Sequence, residues 1–110
     1  MIRAVFTKDT EGWSEMEVSG HAGSGEYGFD IVCAAVSMLT LNFANSVAVL
    51  TGQEAKLEMA NEGGYLRIQR PQGLTPDQLK VWQTLFDSVL IGLKNLAENS
   101  SEYVAQPIIK

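Results

Sequence analysis

No charged residue occurs between Asp30 and Glu54, and that run constrains the fold more than any other feature of the chain. A stretch this long and apolar must be buried, either in a protein core or in lipid. It carries Ser37, Thr40, Asn42, Asn45, Ser46 and Thr51, and it lacks a basic flank on either side. Those features favour the central core helix of a small soluble domain over a membrane span. The helix is expected from about Ile31 to Leu50, with Asp30 as N-cap and Thr51-Gly52 as the stop signal.

Shorter patterns surround it. Residues 2–7 alternate, with Ile2, Ala4 and Phe6 on one face, and residues 13–19 alternate again, with Met16 and Val18 opposite Glu15 and Glu17. The polar 8–12 segment between them, ending in Gly12, reads as a hairpin loop. A second hairpin is expected from 55–60 and 65–70, with Ala55, Leu57 and Met59 on one face and Leu66 and Ile68 inside. Thr75-Pro76-Asp77-Gln78 then carries three helix-start signals: a Thr cap, Pro at the first helical position, and Gln three residues after the cap. That helix extends to about Glu98 on Leu79, Trp82, Phe86, Val89, Leu93 and Leu96. Residues 103–109 are extended, with Pro107 confining them to a sheet edge or a tail. The expected order is ββαββα with a possible last strand. This is an α+β two-layer sandwich in which an antiparallel sheet built from two hairpins carries both helices on one face. Trp13, Trp82 and Tyr103 serve as core or as interface anchors, and the pattern leaves that choice open.

The 110 residues amount to one domain, and a net charge of −5 argues against a nucleic-acid surface. One cysteine excludes an internal disulfide, so a reducing, cytoplasmic setting is expected. A single His and a single Cys do not complete a zinc site, and neither a metal nor a cofactor is expected. The glycines at 20, 23, 25 and 28 match neither a P-loop nor a dinucleotide fingerprint, and Glu26 and Asp30 would repel phosphate.

The chemistry concentrates between Gly20 and Ser37. Cys33 is expected in the first turn of the long helix, where unpaired N–H groups and the helix dipole would lower its pKa and cradle an oxyanion. His21, across a short glycine loop, is placed to act as its general base. Asp30 caps the helix or orients the imidazole, and Ser37 lies one turn beyond Cys33. Gly20, Ala22, Gly23, Ser24, Gly25, Glu26, Tyr27 and Gly28 form a loop that would open to admit an extended peptide.

The run Gly20-His21-Ala22, a glycine-rich spacer, Gly28, and then Asp30-Ile31-Val32-Cys33-Ala34-Ala35-Val36-Ser37 resembles the signature of the ribosomal-processing cysteine protease (Prp, YsxB-like) family. The resemblance extends over nearly the whole chain. It implies a small cytoplasmic endopeptidase, usually a homodimer, that removes an N-terminal extension from the twenty-seventh large-subunit ribosomal protein. It further implies that Cys33 and His21 are the catalytic pair, with Asp30 and Ser37 near them and a mobile loop over 22–28. No direct nucleic-acid or membrane partner is implied. The competing expectation is a non-enzymatic ribosome assembly factor in which Cys33 is structural.

Overall fold

The computed structural model describes residues 1–20, 27–61 and 63–110, and the side chains at 27–29 lie outside that description. Strands β1 (Arg3–Asp9) and β2 (Gly12–Ser19) form the first hairpin, and helix α1 (Tyr27–Thr51) follows. Strands β3 (Lys56–Met59) and β4 (Tyr65–Gln69) form the second hairpin, and helix α2 (Pro76–Asn99) and the short β5 (Ile108–Ile109) complete the chain. The sheet order is β3-β4-β2-β1-β5. All hairpin contacts are antiparallel, but β5 joins β1 in parallel. The sheet is therefore mixed, which corrects the antiparallel expectation. The last strand is only two residues long because Pro107, just before it, offers no N–H to a ladder.

The alternation seen in the sequence becomes burial on one side. Ala4, Phe6, Met16, Val18, Leu66 and Ile68 are all buried, while the residues between them stay at least partly exposed. Both helices cover that buried face. The centre of the core is an aromatic cluster. Phe86 of α2 stacks on Trp13 at 5.1 Å and meets Phe6 edge-on at 5.2 Å, and Phe43 of α1 contacts Trp82 at 5.2 Å and Phe86 at 5.3 Å. The polar tips of the indoles are satisfied. Trp13 Nε1 donates to Asp87 Oδ1 at 2.7 Å, and Trp82 Nε1 donates to the Trp13 carbonyl at 2.8 Å. Trp13 and Trp82 are thus core residues.

The start of α2 follows its sequence signals closely. Thr75 Oγ1 accepts from Gln78 N, Gln78 Oε1 accepts from Thr75 N, and Pro76 opens the helix. The start of α1 does not. It begins at Tyr27, four residues before the expected Ile31. Gly28 costs only about 1 kcal/mol in a helix, and Asp30 in the first turn complements the positive end of the dipole. Among the described side chains, only one stripe of α1 is buried, consisting of Val32, Val36, Thr40, Phe43, Val47 and Thr51. Its opposite side leaves Ile31, Met38, Val49 and Leu50 exposed, so the helix is not the fully enclosed core element expected. By length and composition alone, Asp30–Thr51 would also span a membrane.

Truncating Phe86 to Ala should destabilise the fold by about 3–5 kcal/mol, and Thr75→Ala by about 1 kcal/mol. Urea unfolding followed by tryptophan fluorescence measures both.

Candidate active site

Strand β2 delivers the chain to Gly20, and that position tolerates nothing larger. Gly20 has φ +124°, and a Cβ built there would lie 2.4 Å from the Met1 carbonyl oxygen and 2.6 Å from the Ile2 Cα. Its N–H donates to the Gly64 carbonyl at 3.0 Å. The end of β2 is therefore pinned between the first residues and the β3–β4 turn. Ile2 is held in turn by its N–H donating to Tyr103 O at 2.7 Å and by the Ala105 N–H donating to Ile2 O at 2.9 Å.

Cys33 faces this pinned corner from α1. The thiol is half-buried and lines a cavity of about 130 Å³ with Ile2, Gly20, Val36, Ser37 and Leu66. Thr40, Leu41, Met59 and Gly64 complete much of its wall. The structure thus brings Gly20, Cys33 and Ser37 to one cavity. His21, Ala22, Gly23, Ser24, Gly25 and Glu26 lie outside the described residues, so the expected His21–Cys33 pairing lies there too. Tyr27 and Gly28, expected in the loop, are the first residues of α1.

Two expectations about the thiol are corrected. Because α1 starts at Tyr27, Cys33 occupies its second turn, and its N–H lies inside the helical ladder, with none of 31–33 left as a free oxyanion donor. For the same reason Asp30 is not the N-cap; it sits exposed in the first turn. The thiol pKa is pushed up rather than down: burial is the main cause, the Asp30 carboxylate adds to it, and the amino terminus opposes them. A thiol in this state is protonated at neutral pH and needs a base to become a nucleophile.

Sequence reasoning missed the rest of the wall: Thr40 and Leu41 on α1 itself, and Ile2, Met59, Gly64 and Leu66 opposite the helix. The signal available was Gly63-Gly64, both with positive φ, which turns the β3–β4 hairpin toward the cysteine.

A half-buried thiol at the head of an apolar cavity, beside the exit of a pinned strand, suits a peptidase that attacks through sulfur. The comparisons agree. The family model described as cysteine protease Prp matches residues 1–105. The ribosomal processing cysteine protease Prp of Bacillus subtilis is 32% identical over 97 residues, covering 87% of each chain. A Streptococcus mutans protein of known crystal structure is 43% identical with a TM-score of 0.84, covering all of this chain and 96% of its own. An essential ribosomal processing protease Prp from Staphylococcus aureus, solved with a substrate peptide, is 25% identical with a TM-score of 0.80 over the whole of both chains. The protein is a cysteine peptidase. More narrowly, it belongs to the Prp family of cysteine proteases.

Replacing Asp30 with Asn removes one of the influences that raise the thiol pKa. The pH midpoint of Cys33 alkylation by iodoacetamide should therefore move to lower pH, and the rate at neutral pH should rise.

Proposed function

We propose that this chain is the endopeptidase that removes the N-terminal extension of a large-subunit ribosomal protein, the twenty-seventh, during ribosome maturation. The observation that carries the reading is the half-buried Cys33 thiol at an apolar cavity, in a chain related to proteins named for ribosomal processing.

His21 takes the proton from Cys33, and the thiolate attacks the scissile carbonyl. The C–N bond breaks as His21 returns the proton to the leaving amine. This leaves an acyl-enzyme, which a water activated by the same imidazole hydrolyses. The raised thiol pKa gives this base a defined task, because the resting cysteine does not ionise unaided at neutral pH. Asp30 and Ser37 flank the thiol as supporting residues; the segment 20–28 passes the substrate. A net charge of −5 favours encounter with a basic ribosomal protein.

The working form we propose is a cytoplasmic homodimer without cofactor, metal, nucleic-acid or membrane partner. The exposed Ile31, Met38 and Val49 of α1 support self-association, and the Val32–Phe43–Val47 stripe packed on the sheet supports a soluble setting. Light scattering checks the oligomer: wild type should be dimeric, and Val49→Glu should shift it toward monomer.

Incubating wild type and Cys33→Ala with the extended ribosomal protein, then reading products by intact mass, tests the activity. One cut near the end of the extension, made by wild type alone, is expected, and His21→Ala should be slower by a factor of about 100 to 10,000. Turnover retained by Cys33→Ala would end the assignment.

A further inference from the structure

Among the described residues, strand β3 is the longer of the two strands that bury none of their residues. All four of its residues are exposed, with Leu57 at 42% and Met59 at 55%. Leu57 pairs with Ile68 and Met59 with Leu66. Residues directly opposite across a ladder share a face, and Ile68 and Leu66 are buried on the helix side. Leu57 and Met59 therefore project to the helix side as well, where no helix covers them. They form an apolar strip beside the buried face, and Leu41 of α1, 37% exposed, lines the same cavity as Met59.

The hydrogen-bond register adds a second observation. The Ala60 N–H donates to Tyr65 O at 3.2 Å. In an antiparallel ladder bonded pairs alternate, so Glu58 and Lys56 turn their backbone groups toward β4 while Leu57 and Met59 turn theirs outward. β3 is the edge of the sheet, so these outward groups are free to pair. The same two residues thus supply both the apolar side chains and the open backbone edge. The other edge, β5, offers only two residues after Pro107.

The third observation is continuity. Met59 and Leu41 line the cavity that holds Cys33, so the strip on β3 runs into the site. We propose that β3 docks the substrate: an extended segment of the peptide pairs with the free edge at Leu57 and Met59. Every second side chain of the segment, apolar, lies on the strip between β3 and α1, and the chain continues to Cys33. This rests on the peptidase reading above and specifies how the same site selects its substrate. Selection is then for a strand-forming segment with alternating apolar residues, because only one side-chain face of an added strand meets Leu57 and Met59. The main-chain pairing itself carries no sequence information.

The test measures binding and turnover separately. A fluorescein-labelled decapeptide alternating Leu and Thr is titrated against Cys33→Ala protein and followed by anisotropy, with a Ser-for-Leu peptide as control. Leu57→Thr and Met59→Thr, added to that background, keep strand propensity while removing the apolar strip; Met59→Lys removes it more severely. Ile108→Thr on the opposite edge serves as the remote comparison, and thermal melts verify each variant. Each β3 change should weaken the Leu/Thr peptide about tenfold, with Ile108→Thr and the Ser peptide's weak binding unaffected. Unchanged affinity in folded β3 variants, or no binding by the Cys33→Ala parent, overturns the proposal. Loss of a dimer with peptide affinity intact also overturns it, assigning the strip to a second copy. Cleavage of the extended ribosomal protein by wild type is scored independently: its absence, with peptide binding still dependent on β3, refutes the proposed processing function and leaves the docking edge standing.

Discussion

The aromatic contact between Trp13, Phe86 and Phe43 holds the rest of the structure in place. It joins the first hairpin to both helices at once, with centroid distances of 5.1 Å and 5.3 Å. Trp13 cannot shift without breaking its bonds to Asp87 and Gln83, so α2 is indexed against the turn of the hairpin. Through Phe43, α1 is indexed against α2. The far end of α1, where Cys33 lies, inherits its position from that packing rather than from any bond of its own among the described residues. Rings packed edge-to-face and stacked contribute about 0.5–1.5 kcal/mol each beyond their burial, enough to favour one arrangement over its neighbours.

The other end of the sheet is set by close approach. Gly20, with no room for a Cβ, lets the first residues, the end of β2 and the β3–β4 turn converge. The cavity is what remains between that convergence and α1. Its chemistry follows from its walls: apolar surroundings and a nearby carboxylate keep the thiol protonated, and a protonated thiol is inert until a base acts. The sequence places a histidine next to the pinned glycine. In the function proposed above, that histidine is the base that activates the thiol.

Much of the architecture was legible because its causes are local. Alternation in 2–7 and 13–19 needs only a half-buried strand, and the Thr75–Gln78 box needs only a helix start; both appear as expected. The start of α1 was misread because Asp30 is an equally good residue for an N-cap and for a first turn, and composition does not separate the two. Burial of the thiol, with the Asp30 carboxylate adding to it, reversed the expected direction of its pKa. The parallel pairing of β5 and the uncovered face of β3 escaped for another reason. Alternation identifies which face a side chain occupies, while coverage depends on how far the helix layer reaches, a property of the assembled fold. Leu57 and Met59 were placed on a common face, but that this face is exposed could not be read from alternation. For the site, the motif gave Cys33 and Ser37 a common cavity, while Met59 and Leu66, remote in sequence, entered it only through the strand register.

The central claim is that the Cys33 thiol depends on His21 for its nucleophilicity. The most direct measurement is the rate of Cys33 alkylation by iodoacetamide as a function of pH, in wild type and in His21→Ala. The account predicts a wild-type rate near neutral pH that falls sharply in His21→Ala, whose remaining reactivity appears only at high pH, as burial and Asp30 require. Superimposable pH profiles for the two proteins would contradict it.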